Sequence, residues 1–124
     1  MKINGIFKII ANTLLLYISV LSSSCVSVKY LYYYDLAYGS EQRQKLDLYI
    51  PRKKTGEVGL ILSIHGGGWT SGDKEVYRDA NAYYSGELDY VAAAINYLFA
   101  SASVDAFDIM NDITSALSFI KARA

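Results

Sequence analysis

Three consecutive glycines, Gly66, Gly67 and Gly68, follow an apolar segment and precede a segment with helical spacing. The apolar residues 58–64 run almost without interruption, which is typical of a strand that is covered on both faces. Glycine loses more backbone entropy on folding than any other residue, so three in a row make sense where the chain must bend tightly or lie close to a ligand. The sequence therefore predicts a functional turn between a buried strand and a helix.

Strand and helix patterns alternate on both sides of this turn. Tyrosine-rich residues 29–34 and the alternating apolar residues 45–50 predict an antiparallel strand pair at a sheet edge, ended by Pro51. After the turn, Asp73 is a predicted helix N-cap for residues 74–88, residues 90–97 predict a second apolar strand, and a last helix begins near Ser103. Alternating strands and helices predict parallel pairing with right-handed crossovers, and hence an α/β class.

Both predicted helices have apolar residues at helical spacing. In the first helix the predicted core face consists of Val76, Ala80, Tyr83, Tyr84 and Leu88. In the last helix it consists of Val104, Phe107, Met110, Ile113, Leu117 and Ile120. We expect Asp105, Asp108 and Asp112 to lie on the solvent face of the last helix, because a calcium site would need a loop with several oxygen ligands.

Composition excludes several classes of protein. The 124 residues fit one domain, and an apolar content of 52% excludes a fully disordered chain. The 12 basic residues balance the 12 acidic ones, so nothing indicates a nucleic-acid partner. One cysteine and one histidine can form neither an internal disulfide nor a closed zinc site. We expect no metal and no cofactor.

Residues 1–24 have the layout of a secretory signal peptide. Lys2 and Lys8 precede an apolar run over residues 9–21, and three serines follow. The run is shorter than the about 20 residues that a membrane-spanning helix needs. The sequence therefore predicts an exported protein, located in the cell envelope or secreted, with a mature part over residues 25–124.

The Ser-Ser-Ser-Cys end of this segment also resembles a bacterial lipoprotein signal, in which Cys25 would become the lipidated first residue. That pattern usually has a leucine three residues before the cysteine, whereas Leu21 lies four before it. Membrane attachment through Cys25 and simple cleavage of the signal are both left open.

Two kinds of chemistry compete for the glycine turn. A phosphate-binding Walker loop would need a lysine where Asp73 stands, and a dinucleotide fingerprint would need a glycine where Ser71 stands. An aspartate at the mouth of the loop would also repel phosphate. The alternative is an oxyanion hole, in which backbone N–H groups point at the oxygen that becomes negative during acyl transfer.

The segment His-Gly-Gly-Gly-Trp, residues 65–69, resembles the oxyanion turn of α/β-hydrolase carboxylesterases of the hormone-sensitive-lipase and bacterial feruloyl-esterase-like type. Residues 71–74, 94–97 and 112–120 are similar to the stretches that follow in this family, although Leu98 stands where an arginine is usual. The resemblance covers about residues 29–124. It implies the N-terminal portion of an α/β-hydrolase fold.

The resemblance also implies roles for the residues of the turn. The N–H groups of Gly67 and Gly68 would be the oxyanion donors, Gly66 would allow the close turn, and His65 would brace the loop without acting as the catalytic base. Trp69 would either wall the acyl or alcohol pocket or pack in the core, and the sequence leaves these two roles open.

No catalytic nucleophile, acid or base follows this turn. A serine esterase uses G-x-S-x-G and then an acid and a histidine, but the chain has no G-x-S-x-G and His65 is its only histidine. We therefore expect an exported carboxylic-ester hydrolase by family, truncated before the nucleophile elbow and inactive alone, with a small ester as substrate once the missing half is supplied. The competing hypothesis is a non-catalytic exported or lipid-anchored remnant or binding protein.

In the family's strand order, the strand over residues 58–64 lies between the 90–97 strand and the nucleophile strand. Without that neighbour, the edge at Leu60, Ile61 and Leu62 would present unpaired backbone groups, and no charged residue lies in it. The sequence thus predicts marginal folding and self-association along this edge.

Overall fold

The computed structural model describes residues 27–53 and 56–123. Four strands, a 3-10 turn and two helices follow one another along the chain. They are β1 Tyr30–Ala37, β2 Lys45–Pro51, β3 Leu60–Ile64, the 3-10 turn Lys74–Tyr77, α1 Arg78–Glu87, β4 Val91–Ile95 and α2 Ala106–Lys121. The predicted signal peptide and Cys25 lie outside the described residues. Within the described ranges, no helix has the length and apolar character required to cross a bilayer.

The strands form one mixed sheet in the order β1-β2-β4-β3. The predicted antiparallel pair is confirmed as β1 with β2, and the predicted parallel pair as β3 with β4. The sheet becomes continuous because β2 also pairs with β4, in antiparallel register from Leu46–Ile95 to Tyr49–Ala92. Strand β3 therefore lies at one edge, and the turn that follows it leaves the carboxyl end of the sheet.

The two faces of β2 are both covered, although the alternating pattern of residues 45–50 is typical of a strand with one polar, solvent-facing side. Leu46 and Leu48 face the core formed with α2, where Ala116 and Ile120 pack against them. Asp47 and Tyr49 point to the opposite face and are nevertheless 0% and 1% exposed. The alternating pattern identifies the two faces but not what covers the polar one.

The predicted faces of the helices are partly wrong. In α2, Phe107 and Met110 are 79% and 56% exposed, whereas Ile109 lies in the core at 3% exposure. Asp112, predicted to face solvent, is 4% exposed and accepts hydrogen bonds from the Gln44 amide and the Leu98 N–H. Burial of this carboxylate is tolerated because both of its oxygens find donors on loops that flank the helix.

Helix α1 shows the same reversal. Val76, in the turn before it, and Tyr83 are 71% and 55% exposed, whereas Asn81 and Ser85 face the sheet and are fully buried. The hydroxyl of Ser63 in β3 donates to the side-chain oxygen of Asn81 at 3.0 Å. Polar residues therefore occupy the side of α1 that packs on the sheet, and part of the predicted apolar face is exposed to solvent instead.

Candidate functional site

The glycine turn leaves β3 with a backbone that only glycines adopt easily. Gly67, Gly68 and Gly72 have φ of 119°, 60° and 108°. The carbonyl of Gly67 accepts hydrogen bonds from the N–H of Ser71 at 3.1 Å and from its hydroxyl at 2.9 Å. A Cβ at Gly67 would overlap the Ser71 carbonyl, so this glycine is required by the fold of the turn itself. A Cβ at Gly66 would meet no atom within 4 Å. A side chain at Gly66 would therefore obstruct only a molecule that approaches the turn from solvent.

The N–H groups of Gly67 and Gly68 are free. Within the described part of the chain, neither donates a hydrogen bond to a backbone or side-chain acceptor. Both residues are exposed at the end of β3. Backbone donors without a protein partner are normally satisfied by water or a ligand, so both N–H groups are available to an external acceptor.

His65 lies directly beneath the turn and is 3% exposed. Its ring stacks on Tyr97 at 4.4 Å between centroids, and the Tyr97 hydroxyl donates to the His65 carbonyl at 2.8 Å. The Nδ1 atom lies 2.8 Å from the Gly66 carbonyl, and Nε2 lies 3.4 Å from Nη2 of Arg43. Both ring nitrogens therefore have partners within the site, and the bracing role of His65 stays a prediction.

Trp69 has a φ of 67°, which is rare for a bulky residue and marks local backbone strain. Its side chain is 54% exposed and lines an apolar pocket of about 140 Å³ together with Ala100, Ala106, Ile109 and Met110. Trp69 is therefore not a buried core residue, whereas its role as the wall of an acyl or alcohol pocket stays a prediction.

The far end of the turn is held by Asp73 and Asn96. The Asp73 side chain accepts from the Glu75 N–H at 3.0 Å, which confirms it as a helix cap. Asn96, at the end of β4, donates to Asp73 at 2.8 Å and accepts from the Lys74 N–H at 2.8 Å. Burial alone would raise the pKa of Asp73, but these hydrogen bonds outweigh it and lower the pKa below its usual range.

Lys74 fixes the following turn to the sheet through a cluster with the buried Asp47 and the exposed Asp35. Its side chain is 3% exposed and lies 2.8 Å from Asp47 and 2.9 Å from Asp35. Burial would lower the pKa of Lys74, but the two carboxylates outweigh it and raise the pKa. Sequence reasoning missed this cluster because its members lie 12 to 39 positions apart along the chain, on β1, β2 and the 3-10 turn.

Neither serine near the turn has a base. The Ser63 hydroxyl donates to Asn81 and the Ser71 hydroxyl donates to Gly67, so neither bonds to His65. In the described ranges, no group of three or more histidine, cysteine or acidic side chains could hold a metal ion. The chemistry that the turn offers is hydrogen-bond donation to an acceptor.

Comparison with known proteins decides the family. The family model BD-FAE matches residues 46–124, from β2 through the glycine turn and α2. The chain belongs to the BD-FAE family. Since the match includes every residue of the turn, the predicted kinship with α/β-hydrolase esterases is confirmed, with this BD-FAE chain corresponding to the N-terminal part of the fold.

Relatives of this BD-FAE chain are named as esterases. A probable isoprenylcysteine alpha-carbonyl methylesterase of Arabidopsis thaliana is 29% identical over 111 residues, which is 84% of this chain and 23% of the plant protein. The chain spans about a quarter of the length of the curated relatives it matches.

Solved structures confirm the fold class. Esterase B of Lactobacillus rhamnosis matches with a TM-score of 0.61 at 24% identity, covering 86% of this chain and 34% of that protein. A thermophilic esterase of Thermogutta terrifontis matches with a TM-score of 0.57 at 27% identity, covering 71% of this chain and 33% of the esterase. The mixed sheet with its two helices is thus part of an α/β-hydrolase esterase fold.

Proposed function

We propose that this chain supplies the oxyanion turn of a carboxylic-ester hydrolase. The observation that carries the proposal is the pair of N–H groups at Gly67 and Gly68, which find no acceptor among the described residues and are held on a strained turn after a parallel strand. In acyl transfer the ester carbonyl oxygen becomes negative, and preorganised backbone donors stabilise that charge without moving. The esterase relatives support this chemistry, and the name of the plant methylesterases supports a carboxylic ester as the substrate class.

Around these donors the neighbouring residues have supporting roles. His65 braces the turn from below, and the apolar pocket beside Trp69 accepts the acyl or alcohol group of the ester. These 124 residues contain no G-x-S-x-G and no second histidine, so the attacking group and its base have to come from elsewhere. An oxyanion hole without a nucleophile gives only residual catalysis, and the chain alone is therefore inactive.

The test uses a chimera in which the matched part of the Thermogutta terrifontis esterase is replaced by the corresponding residues of this chain. The folded chimera is expected to hydrolyse short-chain nitrophenyl esters. The unaltered esterase, assayed in parallel, gives the reference rate. The chain alone is expected to show no turnover above its His65→Ala variant and no labelling by a fluorophosphonate. A folded but inactive chimera would instead favour the non-catalytic hypothesis, and a labelled serine in the chain alone would show that it carries its own nucleophile.

Export is proposed on the pattern of residues 1–24. N-terminal sequencing of protein recovered from the cell envelope or medium is expected to start near Ser24 or Cys25. Fatty-acyl label on the wild type but not on Cys25→Ala would establish the lipid anchor. Intact Met1 in a cytoplasmic fraction would contradict export.

A further inference from the structure

Arg43 reaches the oxyanion turn from a different part of the chain. It lies in the connection between β1 and β2, just before β2 begins. Its Nη2 donates to the Gly72 carbonyl at 3.1 Å, and its Nε donates to the Tyr97 carbonyl at 2.9 Å. The guanidinium also lies 3.7 Å from the centroid of the Phe99 ring. One side chain thus ties the end of the turn to the loop that follows β4.

The same guanidinium also faces the ring of His65. A carbonyl can only accept, so Nδ1 of His65 carries the proton that it shares with Gly66 at 2.8 Å. Arginine can only donate, so Nε2 is the unprotonated nitrogen that faces Nη2 of Arg43 at 3.4 Å. The contact with Arg43 and the contact with Gly66 therefore require one and the same tautomer.

These contacts form a closed arrangement around the turn. His65 anchors its start through the bond to Gly66, and Arg43 anchors its end through the bond to Gly72. Tyr97 joins the two, because its ring stacks on His65 and its carbonyl accepts from Arg43. Gly67 and Gly68 lie between the two anchored ends, so the direction of their N–H groups depends on both anchors.

We propose that Arg43 is the positioning residue of the oxyanion turn, holding His65 as the Nδ1–H tautomer and fixing Gly72 so that the N–H groups of Gly67 and Gly68 keep their orientation. Arginine suits this role because its planar fork donates in several fixed directions and also stacks on an aromatic ring. The catalytic importance of Arg43 rests on the proposed function, whereas the measurements on His65 test its positioning role independently of that function.

The first measurement is the tautomer of His65 in the full chain with ¹⁵N-labelled histidine. His65 is the only histidine, so its two ring nitrogens give signals without overlap. The wild type is expected to carry the proton on Nδ1. A proton on Nε2 would overturn the proposal outright, since Arg43 cannot accept it.

The second measurement compares variants. Arg43→Gln is expected to lose the single His65 tautomer and to shift the amide signals of Gly67 and Gly68, whereas Arg52→Gln, at an exposed site beyond β2, leaves both unchanged. Arg43→Lys keeps the charge but not the fork and is expected to be intermediate. A folded Arg43→Gln with wild-type ring and amide signals and only a lower melting temperature would reduce Arg43 to a structural role. If Arg43→Gln does not fold, wild-type signals in Arg43→Lys overturn the proposal equally.

In an active chimera, Arg43→Gln is expected to lower kcat roughly tenfold to a hundredfold, because small displacements of aligned groups have effects of this size. KM should change much less, since the donors act mainly on the transition state. An inactive chimera would count against the proposed function, while the histidine signals would still decide the role of Arg43.

Discussion

Single residues hold the site through polar contacts between distant segments. The sequence predicts the turn itself, because its glycines and Trp69 are contiguous and follow an apolar strand. It does not predict Arg43, Asn96 or Lys74, because their partners come from other strands and loops. Asp47 illustrates the reason: alternation assigns it to the polar face of β2, but it is buried there beside Lys74 of the 3-10 turn, which no local pattern indicates.

Lys74 gives the first prediction at this scale. Lys74→Met removes the cation 2.8 Å from the buried Asp47, which keeps only the N–H of Asp35 and the more distant Arg78 at 4.0 Å. Breaking one side of a buried ion pair costs about 3–5 kcal/mol of unfolding free energy. Lys53→Met, at an exposed site, is expected to stay within about 0.5 kcal/mol of the wild type. Denaturant unfolding of both variants measures the difference. Equal stabilities would mean that Asp47 is paired or solvated in another way.

Acid stability gives the second prediction. The pKa of Asp73 is lower in the folded chain than the value of about 3.9 for a free aspartate. Its charged form therefore stabilises the fold above that value, and the contribution is lost as the pH falls through the lower, folded pKa. Asp73→Asn should flatten this part of the stability–pH curve. An unchanged curve in the variant would show that Asp73 contributes nothing to acid unfolding.

Secondary-structure elements are more predictable than the faces they bury. The four strands and two helices were all expected, with ends shifted by a few residues, because caps, glycines and apolar runs are local signals. The faces were partly wrong because what packs against a helix is not local. In α2 the buried residues are Ile109, Asp112, Ala116 and Ile120, of which only Ile120 was predicted for the core face. Asp112 can be buried because it finds donors in two loops.

The start of α2 gives a prediction for an element. Asp105 accepts from the N–H groups of Phe107 and Asp108, and Asp108 accepts from the N–H of Asp105, which forms a reciprocal capping box. Asp105→Ala should lower the unfolding free energy by about 1 kcal/mol. Asp79→Ala, an acidic residue in the first turn of α1 that does not cap it, is the control and should cost clearly less. Similar losses in both variants would assign the effect to helix-dipole electrostatics instead.

The whole molecule has two sheet edges with different protection. Strand β1 carries a register break between Tyr33 and Leu36, and Asp35 has a φ of 55° there. Such bulges disturb an edge and discourage pairing. Strand β3 has no bulge in its register with β4, and among the described residues its outer side has no partner. Strand β3 lies at the edge because β2 pairs with β4. No local sequence pattern predicts that pairing.

Self-association through β3 is the prediction at this scale. The chain from Cys25 onward, with Cys25→Ser, is expected to sediment as oligomers. Leu60→Lys on β3 should shift the chain toward monomer, whereas Leu31→Lys on β1 should not. The two variants are a matched pair because the two leucines are similarly exposed, at 37% and 40%. A monodisperse monomer with a cooperative unfolding transition above about 60 °C would show a self-sufficient small domain instead.

The oxyanion role of Gly67 is tested most directly by kcat in the chimeric esterase. Gly67→Ala forces a side chain against the Ser71 carbonyl at a φ of 119°, so the N–H group is displaced. Gly86→Ala, in α1 and away from the turn, is the matched control. In variants shown to be folded, kcat should fall about 10²–10³-fold for Gly67→Ala, as for loss of one oxyanion donor, and stay near the parent value for Gly86→Ala. An unchanged kcat for a folded Gly67→Ala chimera would contradict the account and place the oxyanion donors elsewhere.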